Sequence, residues 1–174
     1  GARVDVVMTE GATRFVAPLT FGSITHRPVT TDLFDPNAEV GIRHVALAER
    51  ADVVVVAPVT ADFIAKMVAG LADDALGTTI LATTAPIMIA PAMDGHMYEN
   101  SATQENVEGL RQRGVYVAGP AVGHLASGLS GTGRLLETPE LIGHISLVMG
   151  LDGDLAGKKI VVSAGGTQEA IDPV

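Results

Sequence analysis

The sequence predicts an α/β domain in which helices cover both faces of a parallel β-sheet. Two continuous apolar runs, DVVVVAP at 52–58 and APIMIAP at 85–91, are typical of strands that are buried on both faces. Segments with apolar residues at helical spacing alternate with these runs, and this alternation favours a parallel sheet. Aromatic residues make up only 3% of the chain and Trp is absent, so we expect a core of aliphatic side chains.

The first third of the chain is predicted to contain one strand and one short helix. ARVDVVMT at 2–9 has the alternation and the β-branched residues of a short strand. EGATRFVAPLTF at 10–21 is predicted as a helix that stops at Pro18. Residues 22–42 are polar and contain two prolines, which indicates irregular structure.

The middle third is predicted to place a helix before and after the strand at 52–58. HVALAERA at 44–51 has apolar residues at helical spacing. TADFIAKMVAGLADD at 60–74 is amphipathic, and Thr60 is a suitable N-cap for it. We expect this helix to continue through ALGTTILAT at 75–83.

The last third is predicted to hold two helices, a strand and a long loop. A helix is expected from Ser101 to Gly114, because a Gln stands three residues after the Ser, at the capping-box spacing. A strand at 115–119 and a Gly- and Ser-rich loop at 120–134 follow. The final helix is expected over about 138–149, with proline at its first helical position.

A change of composition divides the chain near residue 150. Residues 1–150 are predicted to form one domain. The polar, Gly-rich LDGDLAGKK at 151–159 resembles a linker, and IVVSAGGTQEAIDPV then has the pattern of a new strand with a Gly-Gly-Thr turn. We therefore expect residues 151–174 to be a linker and the opening of a second domain.

Composition also limits the possible functions. The net charge of -9 disfavours binding to nucleic acid, which needs clustered basic residues. The absence of cysteine excludes disulfides, thiolate metal sites and a cysteine nucleophile within the chain, and the five histidines lack metal-site spacing. No stretch is apolar enough to span a membrane and no signal sequence opens the chain, so a cytoplasmic location is expected.

Candidate binding residues follow the predicted strands, because open parallel sheets bind ligands beyond the carboxyl ends of their strands. These strand ends are Thr9–Glu10, APVTAD at 57–62 and PAMD at 91–94. Each candidate also has an ordinary interpretation. Thr60 could simply cap a helix, Asp94 could form a turn, and His44 could be a surface histidine. The Gly-rich loop at 123–133 could be a plain surface loop or a flap that orders over a ligand.

Three segments together resemble the flavin-dependent phosphopantothenoylcysteine decarboxylases. In chain order they are HVALAERADVVVVAPVTADFIAKMVAGLADD, APAMDGHMYENSATQENVEGLRQRG and GPAVGHLASGLSGTGRLLE. The tail DLAGKKIVVSAGGTQEAIDPV is similar to the first strand of the phosphopantothenate–cysteine ligase domain, which follows in the fused bacterial enzyme. The resemblance covers nearly the whole chain.

This resemblance implies a flavodoxin-like, three-layer α/β/α fold with FMN bound between the subunits of a homotrimer. It implies that the fused enzyme assembles into dodecamers. The implied reaction is the decarboxylation of 4'-phosphopantothenoylcysteine to 4'-phosphopantetheine in coenzyme A biosynthesis, with FMN carrying the redox chemistry.

The resemblance also implies roles for individual residues. His44 matches the catalytic histidine. Flavin contacts are implied for Thr9, Thr60, Ala61, Asp62, Phe63 and Ala92. Asp94 matches the Asn of the family's Pro-x-Met-Asn motif, which binds the substrate carboxylate, and Met97 and Tyr98 match the Met-Trp that completes the motif. Ser127 falls where many members carry a proton-donating Cys.

Three departures from the family pattern bear on the chemistry. Asp94 replaces Asn, and its carboxylate would repel a substrate carboxylate. Ser127 replaces Cys, and a hydroxyl is a much weaker acid than a thiol. The family's first strand and its Gly-Ser phosphate loop would precede Gly1, so we expect this chain to be a fragment.

Other functions remain open at this point. A peptidyl-cysteine-type decarboxylase that stops at the enethiol is favoured by Ser127 and opposed by the ligase-like tail. A non-catalytic, flavin-binding regulatory subunit suits the loss of both Asn and Cys but not the presence of His44. Nothing in the sequence marks an electron-transfer surface, which disfavours a simple electron carrier.

Overall fold

The computed structural model describes residues 2–33, 43–125, 128, 130–151, 153–154 and 156–162. The helices in this part of the chain are α1 (Glu10–Thr13), α2 (Pro18–Thr25), α3 (Arg43–Arg50), α4 (Ala61–Ala69), α5 (Ala75–Ala82), α6 (Gly95–Glu99), α7 (Ser101–Gln112) and α8 (Thr138–Gly150). The strands are β1 (Val54–Val59), β2 (Ile87–Pro91), β3 (Tyr116–Val117), β4 (Ala121–His124) and β5 (Ser130–Arg134).

The main sheet contains three parallel strands in the order β1-β2-β3. Val54 pairs with Ile87, and the register shifts before Val59, which stands opposite Pro91. Because the strands are parallel, their carboxyl ends meet at one edge of the sheet. The predicted parallel sheet is confirmed, and the candidate turns after β1 and β2 are neighbours at this edge.

Strand β2 is buried from both sides, as its apolar composition predicts. Ile89 packs in a cluster with Ile64 of α4 and Leu110 of α7. Its neighbour Met88 points to the opposite face and packs with Val148 of α8. Successive side chains of a strand alternate between faces, so helices on both sides complete three layers.

Pro18 begins helix α2 instead of ending a helix, so the prediction for residues 10–21 is wrong at this point. Proline has no backbone N–H, and the first turn of a helix leaves that group without an intrahelical partner in any case. The helix runs to Thr25, which also corrects the irregular structure predicted from residue 22.

The helix predicted to run from residue 60 through residue 83 is two helices. Gly70, with φ +69°, ends α4 in the left-handed conformation that glycine adopts without strain. Asp74 then caps α5, because its Oδ1 accepts a hydrogen bond of 2.7 Å from the Gly77 amide. Similarly, Asn100 and not Ser101 caps α7, with Oδ1 accepting from the Ala102 amide at 3.0 Å.

The Gly- and Ser-rich segment predicted as a loop at 120–134 contains an antiparallel hairpin. Gly123 of β4 pairs with Gly131 of β5, and His124 pairs with Ser130. Backbone hydrogen bonds hold this hairpin, and they do not require the apolar alternation that marks a strand in a sequence. The sequence of this segment therefore lacks the alternating pattern from which a strand is predicted.

Within the described residues, the predicted strand at 2–9 forms one isolated parallel bridge, between Val7 and Thr30. The Met8 amide donates to the Thr30 carbonyl at 2.8 Å, and the Thr30 amide donates to the Val6 carbonyl at 2.9 Å. At the other end, residues 160–162 are exposed and lie outside any helix or strand. The remainder of the predicted C-terminal strand and its Gly-Gly-Thr turn lie outside the described residues, so the second domain stays a prediction.

Candidate functional site

Two predicted site segments lie side by side at the carboxyl edge of the sheet. β1 leads into Thr60, and β2 leads into Ala92. The Ala92 amide donates a hydrogen bond of 3.1 Å to the Val59 carbonyl, which joins the two strand ends. The structure therefore brings the predicted flavin turn at 60–63 next to the turn at 92–94.

The start of α4 shapes the first of these turns. The Thr60 hydroxyl accepts a hydrogen bond of 3.2 Å from the Phe63 amide, and the buried Phe63 ring anchors the helix in the core. Helix geometry leaves the amides of Ala61 and Asp62 without intrahelical acceptors. These amides can donate to a phosphate or carbonyl oxygen of a ligand.

Small side chains surround this turn. Ala57 and Pro58 are exposed at the end of β1, and Ala92 is half-buried beside them at the end of β2. With so little side-chain volume, the backbone edge is open to the approach of a flat ring system. The chemistry of the turn, amide donors next to a small apolar surface, fits a flavin.

A pocket of about 370 Å³ lies between the second turn and the hairpin. Its lining residues are Ala92, Met93, Asp94, His124, Leu125, Gly133, Arg134 and Leu135. Of the predicted site residues in the described part of the chain, only Ala92 and Asp94 belong to this lining. An acid, a histidine and an arginine therefore stand beside apolar residues in this lining, and His124 and Arg134 are exposed.

The hairpin is attached directly to the turn that follows β2. The Met93 amide donates to the Gly133 carbonyl at 2.9 Å, and Gly133 is buried. A Cβ atom at Gly95 would come within 3.2 Å of the Thr132 carbonyl oxygen, which shows how closely α6 approaches β5. This packing closes one side of the pocket.

Asp94 has a structural role as well as a position in the pocket. It caps α6, with Oδ1 accepting a hydrogen bond of 3.0 Å from the His96 amide. Beyond it, Met97 is 52% exposed, whereas Tyr98 is half-buried and packs against the main core cluster. The predicted substrate motif thus divides into a pocket carboxylate, an exposed thioether and a ring that contributes to packing.

His44 and Thr9 lie on elements that do not line the pocket in the described part of one chain. His44 is half-buried in the first turn of α3, and α3 is tied to α5 by the Thr83 hydroxyl, which donates to the Ala48 carbonyl at 3.0 Å. The Thr9 hydroxyl caps α1, accepting from the Ala12 amide at 3.2 Å. Ser127 lies outside the described residues.

Two polar residues of the pocket lining, His124 and Arg134, were not predicted from the sequence. The His124 Nδ1 atom lies 3.2 Å from the Ser130 hydroxyl across the hairpin, and the Arg134 guanidinium forms an ion pair with Glu137. Arg134 is the single basic residue in GPAVGHLASGLSGTGRLL, at 119–136. A lone cation in a Gly-rich segment is the pattern that could have identified it.

An ion pair with shifted pKa values lies at the other end of α4. The Lys66 ammonium donates to the Asp73 carboxylate at 3.0 Å, and this hydrogen bond lowers the pKa of Asp73 and raises the pKa of Lys66. Both groups lie outside the pocket lining. The pair therefore concerns stability and not the chemistry of the pocket.

The residues that the structure describes contain no group of three or more His, Asp or Glu side chains arranged to hold a metal ion. None of their helices has both the length and the apolar character needed to cross a bilayer.

Comparison with known proteins gives consistent matches over the chain. Residues 1–149 match the family model described as Flavoprotein. The chain is 49% identical over 174 residues to the coenzyme A biosynthesis bifunctional protein CoaBC of Vibrio cholerae, covering 100% of this chain and 43% of that protein. It is 46% identical over 177 residues to the protein of the same name from Bacillus subtilis. The chain spans 43% of the length of these two curated relatives.

Solved structures that are similar to this chain have the same fold. The FMN-dependent cysteine decarboxylase SpaF is 34% identical, with a TM-score of 0.72 over 83% of this chain and 77% of that chain. A Cys-to-Ser variant of PPC decarboxylase, in complex with pantothenoylaminoethenethiol, is 30% identical, with a TM-score of 0.73 over 84% of this chain and 82% of that chain. These similarities confirm the predicted flavodoxin-like α/β fold.

Proposed function

Because the chain belongs to the Flavoprotein family, we propose that it is the FMN-dependent decarboxylase part of a coenzyme A biosynthesis protein. The proposed reaction converts 4'-phosphopantothenoylcysteine to 4'-phosphopantetheine. The observation that carries the proposal is the pocket between the Ala92–Asp94 turn and the hairpin, beside the start of α4. The similarity to proteins named as bifunctional CoaBC supports it, and the ligase activity is proposed for the part of those relatives that this chain does not match.

The proposed FMN site uses the two neighbouring strand ends. Its residues at these strand ends would be Thr60, Ala61, Asp62, Phe63 and Ala92, and Thr9, at the start of α1, is proposed as a further contact. The fit rests on the outward amides of Ala61 and Asp62, on the Thr60 cap that fixes their direction, and on the small side chains beside them. When bound, FMN supplies reversible redox chemistry that side chains lack.

Asp94, Met97 and Tyr98 are the proposed substrate contacts. Asp94 lines the pocket, and its Oδ1 atom accepts a hydrogen bond from the His96 amide, which fixes the position of the carboxylate. An ionised Asp94 repels an anionic substrate, so the pocket must offset that charge to bind a carboxylate.

His44 is proposed as the catalytic histidine, and Ser127 is proposed as the group that donates a proton late in the reaction. An imidazole can take up and release a proton near neutral pH, which suits a base or a residue that orients the substrate. Ser127 is a much weaker acid than a thiol, so the completed reaction would depend on assistance from a neighbouring group.

Self-association is part of the proposal, as a homotrimer with FMN between subunits and as a dodecamer of the longer protein. Support comes from Phe15, Leu19 and Ile24, which are 90%, 78% and 70% exposed in a single chain. Three large apolar side chains exposed within residues 15–24 favour a protein interface. Light scattering of the purified protein should give a multiple of the chain mass. Phe15→Ser with Leu19→Ser should lower that multiple, and a monomeric wild-type protein would contradict the proposal.

The function is tested with the purified full-length gene product, after its flavin absorbance has been recorded. We expect incubation with 4'-phosphopantothenoylcysteine to give a product that has lost only carbon dioxide, as measured by mass spectrometry. A product that has also lost hydrogen would favour the enethiol-forming alternative, which the Ser at position 127 supports. Bound flavin without any reaction would favour the regulatory alternative.

A substitution at His44 tests the proposed catalytic role. His44→Asn should abolish decarboxylation and leave the flavin bound. His26→Asn is the matched control, because His26 is exposed and has a left-handed backbone, which Asn tolerates. Unchanged turnover in His44→Asn would remove this residue from the mechanism.

A further inference from the structure

We propose that Arg134 recognises the carboxylate of the substrate and thereby makes the pocket selective for ligands that still carry it. This inference rests on the proposed function and adds a specificity-determining residue to it. Arg134 lines the pocket together with Asp94 and is outside the set of residues that sequence analysis selected. Of the residues in that lining, Arg134 is the one whose side chain carries a permanent positive charge.

The positive charge of Arg134 can offset the repulsion between Asp94 and the substrate carboxylate. A substrate carboxylate entering the pocket meets the Asp94 carboxylate, and two ionised carboxylates in contact repel. Arg134 lines the same pocket, and its guanidinium supplies the opposite charge and can bind a carboxylate through parallel N–H donors. Asp94 can then remain ionised while the substrate is bound.

The Arg134 side chain is 42% exposed and makes two contacts without any ligand. Its Nη2 atom pairs with Oε1 of Glu137, the N-cap of α8, whose own amide donates to Glu140 Oε2 at 3.0 Å. A Cβ atom at Gly123 would lie 3.1 Å from Arg134 Cδ and 3.2 Å from Nη1, so the side chain runs directly across this glycine. Such contacts reduce the conformational entropy that the side chain loses when a ligand binds.

The local charges favour a carboxylate over a phosphate as the partner of Arg134. Among the described residues, Glu137 is the anion paired with Arg134, through Nη2, and a guanidinium carries further donors for a second planar anion. Asp94 and Glu137 together would oppose the larger charge of a phosphate. A carboxylate carries only one negative charge, so less positive charge is needed to offset its repulsion by Asp94 and Glu137. The product of the proposed reaction has lost this carboxylate and kept its phosphate, so Arg134 should distinguish substrate from product.

The experiment compares substrate and product on the flavin-loaded, full-length protein. Carbon dioxide release gives kcat and KM for 4'-phosphopantothenoylcysteine, and competition by 4'-phosphopantetheine gives its inhibition constant. We expect Arg134→Gln to raise KM by about tenfold or more, because a charge-assisted hydrogen bond is lost. The inhibition constant of the product should change by less than about twofold, since that ligand has no carboxylate. The KM of Arg134→Lys should lie between the values for Arg134→Gln and the wild type, because lysine keeps the charge and loses the planar guanidinium.

Arg111→Gln is the matched charge control, since Arg111 is exposed on α7 and pairs with Glu108 at 3.8 Å. This substitution should leave the KM of the substrate and the inhibition constant of the product unchanged. An equal loss of affinity for substrate and product in Arg134→Gln would overturn the inference and assign Arg134 to the phosphate or to the shape of the pocket. Unchanged KM would overturn it as well. If the wild-type protein binds flavin and releases no carbon dioxide, the proposed function fails and this inference fails with it.

Discussion

Gly133 lies so close to Met93 that a Cβ atom at position 133 would stand 2.1 Å from the Met93 carbonyl oxygen. The two residues are also joined by the Met93 amide, which donates to the Gly133 carbonyl at 2.9 Å. Gly133 has φ +154°, a conformation that side chains disfavour. This contact attaches the hairpin to the turn after β2, and the pocket lies between them.

Gly133→Ala should therefore separate the hairpin from the turn and distort the pocket. Backbone stands in the way of the new methyl group, so we expect a destabilisation of about 1–3 kcal/mol, the usual cost of overpacking. KM for the proposed substrate should rise as well. Thermal unfolding and steady-state kinetics measure the two effects.

Gly143→Ala is the control for this substitution. Gly143 lies in α8, and nothing stands within 4 Å of the position its Cβ would occupy. Alanine in a helix interior should stabilise the protein by about 0.5–1 kcal/mol relative to glycine. Equal stability of the two variants would show that the Gly133 contact is looser than the structure indicates.

Thr60→Ala tests the turn at the start of α4. Loss of the hydroxyl that accepts from the Phe63 amide should destabilise the protein by about 1 kcal/mol, the typical value for an N-cap. The proposed flavin contacts lie on the same turn, so the fraction of protein purified with flavin should fall too. Unfolding midpoint and flavin absorbance per chain are the measurements.

Asp74→Ala provides a matched loss of a helix cap. Asp74 accepts a hydrogen bond of 2.7 Å from the Gly77 amide at the start of α5, away from the carboxyl edge of the sheet. We expect a similar loss of stability with the flavin content retained. Equal loss of flavin in both variants would mean that α4 acts through overall stability and not through contact with the cofactor.

The sequence predicted the central sheet because complete burial leaves a compositional pattern. β1 and β2 consist almost entirely of apolar residues, and the prediction places each within two residues of its observed bounds. Helix ends were harder to predict. Pro18 and Gly70 are each compatible with more than one local conformation, and only tertiary packing selects among them.

Only some of the residues that line the pocket could be predicted from the sequence. Asp94 follows a buried strand, and that position alone marked it as a candidate. Arg134 reaches the pocket because the hairpin reverses the chain and packs on Met93, and this contact depends on backbone bonds and on a glycine without a side chain. Neither feature produces a periodic pattern, so the cation that shares the pocket lining with Asp94 was not predicted.

Asp94→Asn should preserve the fold and keep or raise activity. Asn caps helices as well as Asp does, so α6 should still begin at residue 95. Removing the negative charge also removes its repulsion of a substrate carboxylate, so KM should fall. Kinetics of carbon dioxide release measure this effect. A collapse of kcat with normal substrate affinity would instead assign a proton-transfer role to Asp94.

The Lys66–Asp73 pair predicts a specific pH dependence of stability. Hydrogen bonding to Lys66 lowers the pKa of Asp73 below its ordinary 3.8, so the stabilisation is present above that pH and is lost as the pH falls through the lower folded-state value. The pKa of Lys66 is raised above 10.5 by the same bond, so its contribution is lost as the pH rises through the folded-state value. Asp73→Asn should therefore lower the unfolding midpoint slightly at neutral pH.

The test compares unfolding midpoints of the wild type and Asp73→Asn at neutral pH and in strong acid. The difference should disappear in acid, where Asp73 is protonated, and should shrink in concentrated salt, because both side chains reach solvent and salt screens them. Glu105→Gln, at an exposed carboxylate of α7, controls for the change of net charge. A midpoint difference of the same size in acid would show that Asp73 stabilises the protein through packing and not through its charge.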